Sequence, residues 1–387
     1  MRPNSLFIGG FESTHNPGED RTQVRPWRQG GSRTNAQPSI IRHGLAVLRR
    51  HLHCTRMPPT PTHTLALVCD HLSDDLSGLR LQRWPLPALG PADVRVVMHA
   101  VSLNFPDLLM TRGLYQFKLA LPYVPGMEGA GIVAEAGPDS GWQVGQAVLL
   151  GAKQGLLAEQ VVMPGAALRP VPAGVAMDLA ACLTVTGLTA WVALARLGGL
   201  ARGETLLVHG ARGGVGQACV QIGQHLGARV IATASQPERL AALADTGVLT
   251  LPATGFRDAV LQATGGQGAD VIADPVGGEV FDESLRCIGF GGRLLVLGFA
   301  SGRIPVLDVN RPLIKGYSVV GVRAGEYGRR FPERGREHLA AVSRLAAAGV
   351  LRPAIGARYP LAEAREALAA MAARSVTGKI VVMLAGT

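Results

Sequence analysis

The chain has 387 residues, of which 47% are hydrophobic and 17% are charged, and 50 of them are glycines. These proportions exclude a disordered, a collagen-like and a disulfide-stapled protein, and they predict one large globular domain or two ordinary ones. Glycines and charges interrupt every apolar run before the roughly 18 residues that a membrane span needs, so we expect a soluble, cytoplasmic protein with no membrane partner.

Basic charge is concentrated at the start of the chain. Residues 1–56 hold nine arginines and three acidic residues, a net charge of +6, whereas residues 57–387 hold a net charge of +4. The first segment is rich in Arg, Ser, Gly, Asn and Pro and has little periodicity, which predicts a disordered basic extension. A short stretch at residues 40–52 is compatible with one or two amphipathic helical turns.

Three roles are open for this extension: a transit-type peptide, a nucleic-acid-binding arm, or residues upstream of a true start at Met57. Arginine without lysine fits a transit peptide, but the acidic residues Glu12, Glu19 and Asp20 fall early and weaken that interpretation. Targeting signals inferred from composition give many false positives. We therefore expect an upstream mis-start or an idle extension, and no nucleic acid partner.

From Met57 onward the chain has the pattern of an irregular antiparallel β domain. Short β-branched or apolar runs are separated by Pro and Gly, as in strands joined by turns. The predicted strands cover residues 64–68, 94–101, 131–135 and 147–150. We assign residues 57–177 to the first part of this domain.

The pattern changes at residue 178, where long Ala/Leu/Val helical stretches alternate with short apolar strands. Repetition of strand and helix implies a parallel sheet with both faces covered. The predicted strands cover residues 205–209, 229–233, 270–273 and 293–297. We assign residues 178–316 to a doubly wound domain. A strand at 317–322, two helices and a closing strand at 379–384 then form a second part of the β domain, over residues 317–387.

The strongest chemical signal is the segment 206–216, Leu-Leu-Val-His-Gly-Ala-Arg-Gly-Gly-Val-Gly, which joins a buried strand to a helix. A second strand follows at the distance of a βαβ unit, and this context makes the motif specific for a dinucleotide. Gly213 allows the backbone to approach a pyrophosphate, and Gly216 allows the helix to pack close to the strand. Ala211 stands where the G-x-G-x-x-G pattern has its first glycine. The predicted cofactor-binding residues of this loop are Ala211, Arg212, Gly213, Gly214, Val215 and Gly216.

Cofactor choice depends on the end of the second strand. An acidic residue usually binds the ribose hydroxyls of NAD there, but residues 233–237 read Thr-Ala-Ser-Gln-Pro. Ser235 can donate a hydrogen bond to a 2′-phosphate, and Arg239 can pair with it, because a guanidinium matches phosphate bidentately. The sequence therefore predicts NADPH, although Arg239 is equally consistent with a solvated helix residue.

Several segments between residues 64 and 387 make the chain similar to a known family. These segments are 104–109 (Asn-Phe-Pro-Asp-Leu-Leu), 112–115 (Arg-Gly-Leu-Tyr), 124–131 (Val-Pro-Gly-Met-Glu-Gly-Ala-Gly), 185–190 (Val-Thr-Gly-Leu-Thr-Ala), the glycine loop, 274–278 (Asp-Pro-Val-Gly-Gly) and 377–379 (Thr-Gly-Lys). With them the chain resembles the zinc-free NADPH:quinone oxidoreductase branch of the medium-chain dehydrogenase/reductase superfamily.

The resemblance implies an α/β protein in which a chaperonin-10-like β catalytic domain is split around a Rossmann doubly wound parallel-sheet domain. The active site would lie in the cleft between the two domains, and the protein would be a homodimer. It also implies that Thr186, Pro275, Gly277, Gly298 and Phe299 line the nicotinamide or its ribose. Arg212 departs from the alanine usual in this branch, and it either strengthens pyrophosphate binding or points to solvent.

The same resemblance predicts that the protein binds no metal. Zinc-dependent relatives have a Cys, a His and a Cys or Asp at three ligand positions, and this sequence has Asn104, Met127 and Val185 there. Neither Met127 nor Val185 can replace an imidazole or a thiolate as a zinc ligand. The five cysteines are scattered without a C-x-x-C pair, so a structural zinc site and a disulfide framework are not expected either.

Without a Lewis acid to stabilise an alkoxide, reduction of an activated acceptor is the favoured chemistry. A quinone or an α,β-unsaturated carbonyl accepts hydride at an electron-poor carbon, and its oxygen then needs hydrogen bonds and a proton. The candidate catalytic residues for these roles are Tyr115 and Asn104. Similar enoyl-thioester reductases use a tyrosine in the matching segment as proton donor, although Tyr115 is also compatible with a packing role. Substrate-pocket residues are expected in the loops at 111–123 and 325–332.

Two other functions are compatible with the sequence. A 2-enoyl-thioester reductase would need a wide cleft mouth with basic residues for the phosphates of coenzyme A. A nucleotide-binding protein with RNA affinity or a crystallin-like structural role would bind the cofactor without turnover. The glycine loop, Tyr115 and Asn104 together favour the enzyme.

Overall fold

The computed structural model describes residues 61–384, and of residues 241, 242, 244 and 245 only the backbone. The predicted basic extension at 1–56 and the amphipathic stretch at 40–52 lie outside the described residues. Within them, no helix is long and apolar enough to cross a bilayer.

A mixed sheet is built from strands at both ends of the described chain. The first group of strands is β1 (His63–Cys69), β2 (Leu79–Pro85), β3 (Asp93–Ser102), β4 (Glu128–Ala136), β5 (Ala147–Gly151), β6 (Gln160–Pro164) and β7 (Arg169–Pro170). The last two strands of the described chain, β14 (Ile355–Pro360) and β15 (Lys379–Met383), belong to the same sheet. The sheet order is β14-β15-β3-β4-β5-β7, with β6 also on β3, while β1 and β2 form a separate antiparallel pair.

The middle of the chain forms a six-stranded parallel sheet. Its strands are β8 (Thr205–Val208), β9 (Arg229–Ala234), β10 (Leu249–Pro252), β11 (Ala269–Asp274), β12 (Ile288–Val296) and β13 (Ser318–Gly321), in the order β10-β9-β8-β11-β12-β13. All four residues of β8 are buried, as expected for a central strand that is covered on both faces. The predicted α/β architecture, a β domain split around a doubly wound unit, is confirmed.

Helices connect and cover the two sheets. The α-helices are α1 (Phe105–Thr111), α2 (Met177–Ala180), α3 (Thr184–Trp191), α4 (Gly214–His225), α5 (Arg257–Ala263), α6 (Gly278–Ser284), α7 (Asn310–Lys315), α8 (Ala324–Arg330), α9 (Pro332–Ala347) and α10 (Ala364–Ala372). A π-helical segment, Val192–Leu197, extends α3. Three 3-10 segments cover Gly165–Ala167, Pro237–Thr246 and Leu361–Glu363.

One strand belongs to a different sheet from the one that the sequence predicted for it. The sequence assigns residues 317–387 to the β domain, but β13 pairs in parallel with β12, in a register that aligns Ser318 with Arg293. Helix α9 packs against α3, where a Cβ on Gly187 would lie 3.0 Å from Val342. The short apolar run of β13 carries no local signal of its sheet partner. We propose that the domain boundary lies between α9 and β14.

The two parts of the chain share one apolar core. Ala100 and Val381 of the mixed sheet are fully buried in the same cluster as Leu206 and Val208 of the parallel sheet. A continuous core of this kind holds two elements in a fixed relative position. The loops that leave the carboxyl ends of the parallel strands therefore face side chains of the β domain at defined distances.

Candidate active site

The glycine loop turns from β8 into α4 in a conformation that requires two of its glycines. Gly210 has a φ of +60°, so the left-handed residue of the turn directly precedes Ala211. A Cβ on Gly216 would lie 2.3 Å from the Gly210 carbonyl oxygen, which excludes any side chain there. A Cβ on Gly213 would meet only this oxygen, at 3.5 Å, so the space in front of Gly213 is open.

The loop is joined to the end of the chain by a main-chain hydrogen bond. The Gly378 N–H donates to the Arg212 carbonyl at 2.8 Å. A Cβ on Gly214 would lie 2.5 Å from the side chain of Lys379 and 3.0 Å from the methyl group of Thr186. Gly214 is therefore needed for close packing against these two residues, and Thr186, which the resemblance assigned to the nicotinamide or its ribose, lies beside the loop.

A buried histidine precedes the turn. His209 is fully buried, with Nδ1 2.8 Å from Thr233 Oγ1 and Nε2 2.8 Å from Ser284 Oγ. The Phe256 ring packs against it at a centroid distance of 4.8 Å. Burial lowers the pKa of His209 to about 3, so the imidazole is neutral and fixes the start of the loop.

Arginine side chains meet at the end of β9. Arg212 Nη1 donates to Gln236 Oε1 at 2.7 Å, and its Nε donates to Thr377 Oγ1 at 3.1 Å. Desolvation and then the charge of Arg239 lower the pKa of Arg212, so the two guanidinium groups are close enough to repel. Ser235 and Arg239 are exposed beside them. The sequence left the direction of Arg212 open, and the structure directs it along the loop toward residue 236.

Four of the five residues predicted for the nicotinamide end lie on or beside the loops that follow β11 and β12. The Ala300 N–H donates to the Pro275 carbonyl at 3.0 Å, which joins the two loops. Gly277 has a φ of +67°, and a Cβ there would lie 3.0 Å from the Phe299 ring. Pro275, Gly277, Gly298 and Phe299 are thus neighbours at the carboxyl edge of the parallel sheet, where open α/β sheets bind ligands.

A charged pair is buried between the β domain and the glycine loop. Lys379 Nζ donates to Glu128 Oε1 at 3.0 Å, to Asn104 Oδ1 at 2.7 Å and to the Leu103 carbonyl at 3.0 Å. Glu128 Oε2 accepts the Val185 N–H at 2.7 Å. Every proton of the ammonium group and both oxygens of the carboxylate therefore have partners.

Asn104 belongs to this network. Its Nδ2 donates to Glu128 Oε1 at 2.9 Å and to the Ser102 carbonyl at 3.2 Å. Both N–H groups of the amide are engaged, so direct donation to an acceptor oxygen would require one of these bonds to be exchanged. Sequence reasoning missed Lys379 as a site residue, because its partners come from distant parts of the chain.

The three positions that hold zinc ligands in the zinc-dependent relatives surround this pair. Asn104 and Val185 bind Glu128 through their N–H groups, and Met127 precedes it in the chain. Among residues 61–384, no three His, Cys, Asp or Glu side chains are grouped so that they could hold a metal ion. The buried ammonium of Lys379 provides the positive charge beside Glu128.

Tyr115 lies in the loop between α1 and β4. It is half-buried, and its ring meets that of Phe117 edge-on at a centroid distance of 5.5 Å. Burial raises the pKa of Tyr115, while Arg323 and Arg329 act in the opposite direction. The phenol is therefore protonated at neutral pH and can donate a proton or a hydrogen bond.

Three cations that the sequence did not single out surround Phe117. Lys153 Nζ lies 4.9 Å from the centre of the ring, Arg323 Cζ lies 5.2 Å away and Arg329 Cζ lies 5.4 Å away. The sequence indicated only that the loops at 111–123 and 325–332 would line the pocket. Isolated charges in separate loops carry no periodic signal, so nothing in the sequence brought them together.

Comparison with known families supports this architecture. Residues 90–173 match the family described as alcohol dehydrogenase GroES-like domain, and residues 214–343 match the family described as zinc-binding dehydrogenase. These two matches cover the first part of the β domain and most of the parallel-sheet domain. Together with the fold they define an oxidoreductase with a GroES-like domain and a dinucleotide-binding domain.

Individual relatives assign the chain to a narrower group within this class. A quinone oxidoreductase-like protein 2 homolog from Nematostella vectensis is 35% identical over 82% of this chain and 88% of its own. A probable oxidoreductase from Mycobacterium abscessus is 36% identical, with a TM-score of 0.75 over 84% of this chain and 100% of its own. A mycobacterial protein complexed with NADPH is 30% identical, with a TM-score of 0.75 over 83% of this chain and 99% of its own. The chain belongs to the medium-chain dehydrogenase/reductase superfamily, in its quinone oxidoreductase-like group.

The described residues fit a nicotinamide dinucleotide. The first turn of the 12-residue helix α4 starts beside the open space at Gly213, where a pyrophosphate can approach main-chain N–H groups. Two arginines lie at one end of this space, and the loops that follow β11 and β12 lie at the other. One cofactor can therefore lie along the carboxyl edge of the sheet.

Proposed function

We propose that the protein is an NADPH-dependent reductase of quinones or α,β-unsaturated carbonyls that works without a metal. The observation that carries the proposal is the open glycine loop at the start of α4, together with the arginines near the end of β9 and the joined loops that follow β11 and β12. The buried pair of Glu128 and Lys379 supports the metal-free part of the proposal, because it fills the region of the relatives' zinc ligands with a satisfied network.

Preference for NADPH rests on the end of β9. Ser235, Arg239 and Arg212 offer a hydroxyl and two guanidinium groups to a 2′-phosphate, and residues 233–237 contain no carboxylate that would bind the free ribose of NADH. Thr377 and Gln236 hold the Arg212 guanidinium in place, which reduces the entropy lost when it binds.

The bound cofactor would supply a hydride to an electron-poor carbon of the acceptor. Tyr115 would hydrogen-bond the conjugated oxygen and deliver a proton as negative charge develops there. Asn104 acts as a positioning residue in this proposal, because its Oδ1 holds the ammonium of Lys379, whose methylene groups pack against Gly214. The aromatic and apolar side chains around Tyr115 would limit water at the reacting carbon.

A second candidate function is reduction of 2-enoyl thioesters. The sequence linked this alternative to basic residues at the cleft mouth, and the exposed group of Lys153, Arg323 and Arg329 around Phe117 supports it. A binding protein without turnover remains the alternative from another class, and any steady NADPH oxidation would exclude it.

One assay separates these functions. Purified protein is given NADPH or NADH with a panel of quinones, enals and enoyl thioesters, and cofactor oxidation is followed optically. We expect turnover with NADPH that exceeds turnover with NADH. We expect Arg239→Ala and Arg212→Ala each to weaken NADPH far more than NADH, by about 1.5 to 3 kcal/mol for a lost charge-assisted hydrogen bond. Equal affinity of the wild type for both cofactors would refute the selectivity.

We also propose that the protein is a homodimer that pairs through the β13 edge of the parallel sheet. The segments that precede β13 carry exposed apolar side chains: Phe290 in β12 is 90% exposed, Val309 before α7 is 84% exposed and Leu313 in α7 is 83% exposed. A second copy would cover this surface and continue the sheet, which removes an unprotected edge. Sedimentation of the wild type should give a dimer, and Leu313→Asp should give a monomer. Val144→Asp, at another exposed apolar position, is the control and should remain dimeric.

A further inference from the structure

The ring of Phe117 is the centre of a cluster of cations, which we call the Phe117 cation cluster and define as Lys153, Arg323 and Arg329. All three lie within 5.4 Å of the ring centre. They come from different parts of the fold: Lys153 follows β5 in the β domain, Arg323 follows β13 of the parallel sheet, and Arg329 lies in α8. Two domains thus direct positive charge at one point.

Little negative charge balances this cluster. Glu326 pairs with Arg329 at 3.0 Å and with Arg330 at 3.2 Å, so one carboxylate serves two guanidinium groups. In the part of the chain that the structure describes, neither Lys153 nor Arg323 forms an ion pair or a side-chain hydrogen bond. Both are exposed and remain available to a ligand. The attraction of the ring for cations offsets only part of their mutual repulsion.

The cluster lies on the substrate side of the proposed cofactor site. In the parallel sheet, Arg212 and Arg239, which are proposed for the 2′-phosphate, follow the neighbouring strands β8 and β9, and the loops proposed for the nicotinamide follow β11 and β12. Strand β13 comes next in the order, and Arg323 follows its carboxyl end. Phe117 also touches Tyr115, the proposed proton donor. A group bound at the cluster would therefore adjoin an acceptor held by Tyr115.

We propose that the Phe117 cation cluster is a subsite for an anionic group of the acceptor, a carboxylate or a phosphate. The subsite rests on the proposed reductase function and narrows its substrates to acceptors that carry negative charge beside the conjugated carbonyl. Arginine binds such oxyanions through charge-assisted, bidentate hydrogen bonds, and Lys153 adds a second charge from the opposite side of the cleft. A phosphate of a coenzyme A thioester and a carboxylate of a small enone share this chemistry.

The test compares related acceptors that carry or lack an anionic group. 4-Oxopent-2-enoate is matched with its methyl ester, and crotonyl-coenzyme A is matched with the neutral crotonyl thioester of N-acetylcysteamine. In the wild type, kcat/KM should be higher for the charged member of at least one pair and should fall with added salt. In the Lys153→Gln, Arg323→Gln double variant, kcat/KM for the charged acceptor should fall roughly tenfold or more, as expected for the loss of a charge-assisted hydrogen bond. The value of kcat/KM for the matched neutral acceptor should not change. Arg330→Gln removes a charge from the same helix as Arg329 but not from the ring, and it should leave both values unchanged.

The two pairs of acceptors distinguish the source of the anion. An effect confined to the thioester pair indicates phosphate, and an effect confined to the enone pair indicates carboxylate. If the double variant lost equal factors of kcat/KM for charged and neutral acceptors, or lost none for either, the subsite would be overturned while the reductase function remained intact.

Binding provides a readout that does not need turnover. Coenzyme A and 4-oxopentanoate have no conjugated double bond to reduce, and calorimetry measures their affinity for the wild type and for the double variant. If no acceptor is turned over but one of these anions binds and the double variant loses it, the subsite holds and the proposed function fails. If neither anion binds and charge has no effect on turnover, the subsite is refuted.

Discussion

Lys379 Nζ lies 3.0 Å from Glu128 Oε1, and the two side chains are 4% and 0% exposed. The pair joins β15 to β4. The ammonium also touches the side chain of Asn104, and the methylene groups of Lys379 lie beside Gly214. Removal of one partner from such a pair leaves the other charge buried without compensation.

We expect Lys379→Met to lower the free energy of unfolding by about 3 to 5 kcal/mol, because the Glu128 carboxylate loses its counterion. The Glu128→Gln, Lys379→Met double variant should recover part of this loss, since no net charge remains buried. Urea unfolding measures the free energy of unfolding of the single variant and of the double variant. Arg257→Met breaks an exposed ion pair with Asp258 and is the control, with an expected cost of about 0 to 1 kcal/mol. A cost for Lys379→Met no larger than that of the control would contradict the argument.

Two glycines of the loop should respond differently to alanine. Gly216→Ala places a methyl group 2.3 Å from the Gly210 carbonyl oxygen, so it should destabilise the fold and abolish NADPH binding together. Gly213→Ala meets nothing closer than 3.5 Å, so it should fold normally but weaken NADPH, whose pyrophosphate would occupy that space. Thermal unfolding and fluorescence titration separate the two effects. Unchanged NADPH affinity in a folded Gly213→Ala variant would place the pyrophosphate elsewhere.

The buried His209 should make the fold sensitive to acid. Its pKa is lowered to about 3 in the folded protein, while an unfolded histidine titrates near its ordinary value of about 6.5. Between these values the unfolded state binds the additional proton, so stability is fully present above pH 6.5 and is lost as the pH falls toward 3. The contribution approaches about 1.4 kcal/mol per pH unit. Urea unfolding of the wild type and of His209→Gln from pH 7.5 to 4.5 should give a smaller slope for the variant, and identical slopes would refute the assignment.

Tyr115→Phe tests the proposed proton donor. A positioned proton transfer contributes about 10² to 10⁴ in rate, so kcat should fall well beyond any change in NADPH affinity. The loss should be larger for enones than for quinones, because a reduced quinone anion is stable enough to take its proton from water. Steady-state kinetics with one acceptor of each class measures this difference. Full kcat on every acceptor would reduce Tyr115 to a packing residue.

The side chains at the former ligand positions predict the metal content. Asn104, Met127 and Val185 provide no imidazole or thiolate, so purified protein should contain no stoichiometric zinc, and a chelator should leave NADPH oxidation unchanged. Elemental analysis measures the first and a rate assay the second. One zinc per chain would show that the protein binds the metal through other residues.

The sequence by itself determined the architecture, because local patterns encode it. Short β-branched or apolar runs separated by Pro and Gly before residue 178, and alternating strands and helices after it, predicted the split β domain and the parallel sheet. The glycine loop could be assigned for the same reason: its strand, its turn and its helix are consecutive in the chain, and a close approach such as that of Gly216 to Gly210 admits only glycine.

Only the tertiary structure decided the relationships between distant residues. The pairing of β13 with β12, the burial of Lys379 against Glu128, the approach of Arg212 to Gln236, and the convergence of Lys153, Arg323 and Arg329 on Phe117 all join separate segments. A short strand or a single charged residue has the same local pattern whether it meets water or a partner. The partner is set by the packing of the two sheets and their helices, which brings the ends of separate loops together. The spacing of residues along the sequence does not give the distance between these ends.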